Sequence, residues 1–119
     1  MNIIFIVLIG LAGGLGSVLR LFLAGWVGKL PWGILTANTV ASFVMGSALM
    51  AIQTDPLMSA MIVTGICGGL STFSSFSAQT VEYFKAKQVW RGVINILLNF
   101  TVPALAALGG LFLFYTLLK

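Results

Sequence analysis

Phe73 and Phe76 stand three residues apart in "GICGGLSTFSSFS", residues 65–77, among the hydroxyls of Ser71, Thr72, Ser74, Ser75 and Ser77. On a helix this spacing puts both rings on one face, as it does Ser71 with Ser75 and Thr72 with Phe76. A ring edge carries partial positive charge, so edge-on rings beside hydroxyl donors can coordinate a weakly hydrated anion without a full countercharge. Coordination of that strength lets the anion leave again, as conduction requires. Gly65, Gly68 and Gly69 in the same stretch weaken a helix, and the hydroxyls can pair backbone groups that a break would free. Carbonyls exposed by such a break can hold a cation. The plainer alternative is a flexible serine-rich helix packed against a neighbour, with the two phenylalanines as ordinary packing.

A second group of polar residues lies in "GILTANTVASFVMG", with Asn38 at its centre and Thr36, Thr39 and Ser42 nearby. An asparagine amide offers two N–H donors, which suit a dehydrated anion and equally suit a hydrogen bond between helices. Towards the C-terminus, Asn95 and Asn99 share a helix face with Thr101 close by, and Pro103 is expected to kink that helix.

Other chemistries lack their parts. The chain has no histidine, one cysteine (Cys67) and two carboxylates (Asp55 and Glu82), so neither a metal cluster nor a catalytic triad can be assembled. An enzyme is not expected. Of the 119 residues 60% are hydrophobic and 7% charged, and the mean hydropathy is +1.13, values of an integral membrane protein. The net charge of +4 comes from Arg20, Lys29, Lys85, Lys87, Arg91 and Lys119 near the ends of apolar runs, a pattern of membrane orientation rather than of nucleic-acid binding.

These groups must be held by helices that cross a bilayer, each needing roughly 20 mostly apolar residues. Four runs meet that need, near residues 3–26, 32–53, 57–84 and 92–117, making one all-α transmembrane domain over residues 1–119. The breaks are Gly28-Lys29-Leu30-Pro31, Gln53-Thr54-Asp55-Pro56 and Lys85-Ala86-Lys87-Gln88, short enough to make successive spans antiparallel. The first run lacks a basic leader region and is longer than a signal-peptide core, so it reads as a span. Four spans put Lys29, Lys85, Lys87 and Arg91 on one side, with the termini and Asp55 on the other. The positive-inside rule then places the termini outside. Four thin helices have few polar residues with which to line a private pathway, so oligomerisation is expected. Small residues such as Gly10, Gly13, Gly14, Gly46 and Gly110 suit close helix contacts.

Taken together, "GGLGSVLR" (Gly13 to Arg20), "GILTAN" (Gly33 to Asn38) and "GICGGLSTFSSFS" resemble the Fluc or CrcB family of small fluoride channels. The resemblance covers essentially the whole chain, and the third motif is highly specific. It implies an antiparallel, dual-topology dimer of four-helix subunits whose third helix is broken at mid-membrane, with two narrow pores. It also implies a structural sodium ion at the dimer centre, held by the backbone carbonyls of Gly68 and Ser71. Phe73 and Phe76 match the phenylalanines facing the fluoride path, Asn38 matches the pore asparagine, and Thr72 and Ser75 continue the polar lining. Thr39, Asn95 and Asn99 are accessory candidates. Arg20 matches the arginine ending the first span, where it either attracts anions or snorkels to the interface. One departure is Gln79, where many relatives carry glutamate.

The function implied is passive export of cytoplasmic fluoride by electrodiffusion, relieving its toxicity, in the plasma membrane (the inner membrane where there are two) of a prokaryote. The partners implied are fluoride, the lipid bilayer and a second, oppositely oriented subunit, either the same chain or a paralogue. The charge bias of the loops keeps the second arrangement open, because dual insertion needs nearly balanced loops. Alternatives are a non-conducting or heterodimer-only subunit and a proton-coupled efflux transporter for small cations. The latter needs a carboxylate inside the membrane, and neither Asp55 nor Glu82 is well placed for that.

Overall fold

Side chains that are apolar all round leave a helix no face to turn to water, and the first and last helices of the chain are of this kind. The computed structural model describes residues 2–52 and 54–119. Helix α1 (Ile3–Ala24) starts at Asn2, whose side chain accepts a hydrogen bond from the Ile4 N–H at 3.2 Å. Helix α2 (Trp32–Ala51) follows. The third span, Pro56–Lys85, begins with the short α3 (Pro56–Ser59), capped by Asp55, whose carboxylate accepts from the Met58 N–H at 3.1 Å. It continues as a π-helix (Ala60–Cys67) and α4 (Gly68–Leu70), then resumes after a break as α5 (Phe73–Lys85). Helix α6 (Val89–Leu117) is the fourth span, and Pro103 lies inside it.

The four spans agree with the apolar runs to within a few residues, with Gln53 outside the described residues. All four helices are long and apolar enough to cross a bilayer, so this is a multi-pass membrane protein. Many Ile, Leu, Val and Phe side chains are exposed along α1 and α6.

The break in the third span is real, but it lies further along than its glycines indicate. Gly65, Gly68 and Gly69 are all helical, and the chain leaves the helix at Ser71 (φ −75°, ψ 149°) and Thr72 (φ −152°, ψ 122°). Gly65 and Gly69 serve close approach instead. A methyl group on Gly69 would collide with the Gly13 carbonyl of α1, and one on Gly16 would collide with the Ile66 carbonyl. Without a hydrophobic drive between helices in lipid, backbone-to-backbone contact of this kind is what holds α1 to the third span. Gly46 and Gly110 do the same for α2 and α6, the most extensive helix pair in the chain.

Helix α5 ends in a left-handed turn. Lys87 has φ 60°, its N–H donates to the Phe84 carbonyl at 3.1 Å, and the Gln88 N–H donates to the Tyr83 carbonyl at 2.8 Å. This is a Schellman arrangement with lysine at the position glycine usually takes.

The subunit is a slab of 48 × 35 × 19 Å. A thickness of about two helix diameters leaves no room for a pore walled on every side by one chain. Gly68, Ser71 and Phe73 at the break are accordingly exposed.

Candidate functional site

At Ser71 and Thr72 the helical hydrogen-bond ladder is interrupted, so the Thr72 peptide needs partners from elsewhere. Asn38, on α2, supplies both. Its Oδ1 accepts from the Thr72 N–H at 2.7 Å, and its Nδ2 donates to the Thr72 carbonyl at 3.1 Å. The Thr72 side chain then caps α5, its Oγ1 accepting from the Ser75 N–H at 3.1 Å. Thr72 is therefore buried and structural on three counts.

From Asn38 a polar relay runs into α6. Its Nδ2 also donates to Asn99 Oδ1 at 3.4 Å, and Asn99 Nδ2 donates to Asn95 Oδ1 at 3.0 Å. Asn95 Nδ2 donates to Thr80 Oγ1 at 3.0 Å, and that hydroxyl donates to the Phe76 carbonyl at 2.8 Å. Asn95 is 2% exposed, so the partners of its Oδ1 and Nδ2 are what make its burial tolerable. The relay fastens α2, α5 and α6 around one spot. Thr101 is no part of it: the residue is exposed and its hydroxyl donates to the Leu97 carbonyl of its own helix.

Beside the relay opens a cleft of about 260 Å³. Asn38, Ser42, Ser71, Thr72 and Asn99 form its polar wall, and Phe73, Phe76, Phe100 and Pro103 its apolar one. The rings are set edge to face. Phe76 lies 5.6 Å from Phe73 at 64° and 5.9 Å from Phe100 at 82°. Phe76 is 6% exposed, whereas Phe73 is 72% exposed and projects from the subunit. Among the described residues no charged side chain borders the cleft. Its chemistry is that of neutral donors and ring edges, which can stabilise a small anion weakly.

The other candidates are placed as follows. Ser75 is half-buried and stands off the cleft wall. The Thr39 hydroxyl donates to the Leu35 carbonyl at 2.7 Å, within its own helix. Arg20 is half-buried on α1, away from the cleft. Gly68 and Ser71 border a smaller cavity of about 130 Å³ with Ser42 and Cys67. Gln79 lies towards the basic end, in a separate cleft of about 340 Å³ with Glu82 and Tyr83, and its Oε1 is buried without a partner among the described residues.

Two residues of the cleft and its relay escape a reading of sequence. Phe100 is one aromatic in an apolar span and carries no local signal. Thr80 does carry one, since a threonine four residues after Phe76 can bond back to that residue's carbonyl.

The family model described as "CrcB-like protein, Camphor Resistance (CrcB)" matches residues 7–111. Among curated relatives, a "Fluoride-specific ion channel FluC" of a Sulfurovum species is 34% identical over 113 residues, covering 89% of this chain and 90% of the relative. Relatives of the same name from a Nitratiruptor species and from Klebsiella pneumoniae are 33% and 39% identical. They cover 96% and 75% of this chain and 94% and 76% of their own lengths.

Proposed function

Since the chain belongs to the CrcB-like protein family, we propose that it is a fluoride channel that exports cytoplasmic fluoride passively. The observation that carries this reading is the uncharged cleft at the break, where Phe76 meets Phe73 and Phe100 edge to face beside a wall of amide and hydroxyl groups. Hydrogen fluoride enters cells as a neutral acid, ionises in a more alkaline cytoplasm and is trapped. A selective path then needs no coupling, because the membrane potential drives the anion out. Fluoride is small and accepts strong hydrogen bonds; chloride is larger and accepts weaker ones, so fixed neutral donors discriminate between them.

The working unit is an antiparallel dimer. The 19 Å thickness of the subunit and the exposure of Gly68, Ser71 and Phe73 support a second subunit lying across the break. A sodium ion at that contact, on the carbonyls of Gly68 and Ser71, fits a break where Ser71 is extended and the Thr72 N–H, four residues after Gly68, is turned to Asn38. In this arrangement Phe73 and Phe76 face the anion, Asn38 and Thr72 hold the wall, and Ser75 lines its continuation. Arg20, Thr39, Asn95 and Asn99 are accessory. The concentration of Lys29, Lys85, Lys87 and Arg91 on one side favours a second arrangement, a heterodimer with an oppositely oriented paralogue.

The test is reconstitution in liposomes with efflux followed by fluoride- and chloride-selective electrodes. Fluoride efflux without chloride efflux is expected. Equal chloride flux, or no fluoride flux from correctly inserted dimers, overturns the reading.

A further inference from the structure

The cleft of about 340 Å³ at the basic end shares no bordering residue with the cleft at the break. Gln79, Glu82 and Tyr83 of α5 border it at helical spacing, on one face. Val27 and Pro31, from the connection between α1 and α2, and Gln88, which precedes α6, complete its polar and apolar lining.

The groups that this cleft offers a ligand are acceptors. Gln79 Oε1 is buried without a partner among the described residues, which is costly unless a donor comes from outside the subunit. Glu82, one turn further along, adds a carboxylate. The Tyr83 hydroxyl already donates, to the Lys29 carbonyl at 3.3 Å. A primary ammonium suits such a set, because it carries three N–H donors and a charge opposite to that of Glu82.

The rim is of the other sign. The bond from Tyr83 holds the Lys29 backbone beside the cleft, and Arg91 Nη1 donates to Gln88 Oε1 at 3.2 Å, which brings the guanidinium to a second bordering residue. Lys29 and Arg91 are both exposed, and their side chains suit a phosphate. Trp26 and Trp90, their near neighbours in sequence, are 56% and 78% exposed, as aromatics at the headgroup level of a bilayer are.

We propose that this cleft binds the headgroup of an aminophospholipid, its primary ammonium donating to Gln79 Oε1 and the Glu82 carboxylate and its phosphate lying on Lys29 and Arg91. Acceptors inside and cations at the rim match a phosphate joined by two carbons to an ammonium. A purely anionic headgroup would use the rim and leave Gln79 Oε1 beside a carboxylate with no cation. The site is independent of the fluoride path.

Native mass spectrometry of the full-length protein in detergent, offered phosphatidylethanolamine and phosphatidylcholine of identical acyl chains in equal amounts, tests this. The choline headgroup keeps the phosphate and the positive charge, but its trimethylammonium has no N–H to donate. Retention of the ethanolamine lipid over the choline lipid by about tenfold or more is expected, the value of hydrogen bonds to a charged group. Gln79→Leu and Glu82→Gln should each cut that preference to about threefold or less. Arg91→Gln should instead lower retention of both lipids by about the same factor and leave the preference intact. If Gln79→Leu does not fold, Glu82→Gln, altered at an exposed position, decides by the same criterion. Equal retention of the two lipids by the parent, or the parental preference in Glu82→Gln, overturns the proposal. Displacement of the lipid by free ethanolamine at equal concentration overturns the lipid assignment in favour of a soluble amine.

Discussion

The Asn38 side chain and the Thr72 peptide exchange two hydrogen bonds, at 2.7 and 3.1 Å, across 34 residues of sequence. The amide thus does for the break what a neighbouring strand does in a sheet: it pairs an N–H and a C=O at once. In hydrocarbon this matters more than at a water-exposed loop, because an unpaired peptide there has no solvent to turn to. The pair also explains how a polar break can be rigid. With both groups of Thr72 pinned and its hydroxyl capping α5, the direction in which α5 leaves the break is fixed, and with it the position of Phe76.

Removing that pairing is predicted to disable the site and loosen the fold together. Asn38→Ala strands both groups of the Thr72 peptide, a loss of about 2–4 kcal/mol at about 1–2 kcal/mol for each unmade bond. Asn38→Asp keeps the acceptor for the Thr72 N–H but loses the donors to the Thr72 carbonyl and to Asn99. Thermal unfolding in detergent should place both variants below the parent, Asn38→Ala the lower. Both should lose at least about tenfold in fluoride efflux.

The two phenylalanines are predicted to fail in different ways. Phe76 is buried between Phe73 and Phe100, so Phe76→Ala leaves a cavity and lowers stability by about 3–5 kcal/mol besides reducing flux. Phe73 is exposed on the single subunit, so Phe73→Ala should leave subunit stability close to the parent. Its efflux should fall by more than its dimer content does. Flux and size-exclusion profiles measured on the same preparations make the comparison, and equal losses of flux and dimer would mark Phe73 as a packing residue.

How much of this is legible in the sequence depends on whether a feature is carried by local pattern or by distant contact. The four spans follow from uninterrupted apolar runs, and the glycines and hydroxyls of the third mark it rightly as broken. They misplace the break because glycine has two uses in a membrane helix. Gly65 and Gly69 let the third span meet the backbone of α1, which no reading of one segment reveals. Asn38 is legible as a candidate site residue, but its partner is not: nothing local links it to Thr72. The same is true of Asn95 and Asn99, whose shared face is plain from spacing while their connection through Thr80 to the Phe76 carbonyl is a matter of how α5 and α6 pack.

That connection gives a third prediction. Thr80→Val is nearly isosteric and removes the hydroxyl that Asn95 donates to, leaving the Asn95 amide short of a partner inside the protein. A destabilisation of about 1–3 kcal/mol is expected, the penalty for one buried unsatisfied donor. Thr80→Ser restores the hydroxyl and should recover most of that stability. Unfolding midpoints of the two variants, with fluoride efflux in parallel, check the relay; equal midpoints for Val and Ser would dismiss it.

The turn after α5 gives the last prediction, and its sign is opposite. Lys87 occupies the left-handed region at φ 60°, where a side chain bearing Cβ pays about 1–2 kcal/mol relative to glycine. The Schellman bonds from Lys87 to Phe84 and from Gln88 to Tyr83 depend on backbone alone, so they survive replacement of the side chain. The unfolded chain gains freedom with glycine, which offsets part of the relief. Lys87→Gly should therefore raise stability, by about 0.5–1 kcal/mol net, and leave the cleft at the break untouched. A higher unfolding midpoint with parental fluoride efflux is the expected result. The variant also removes one positive charge from the more basic loop side, so it separates two effects cleanly: a change in the ratio of inserted orientations reports on loop charge, while the unfolding midpoint reports on the turn.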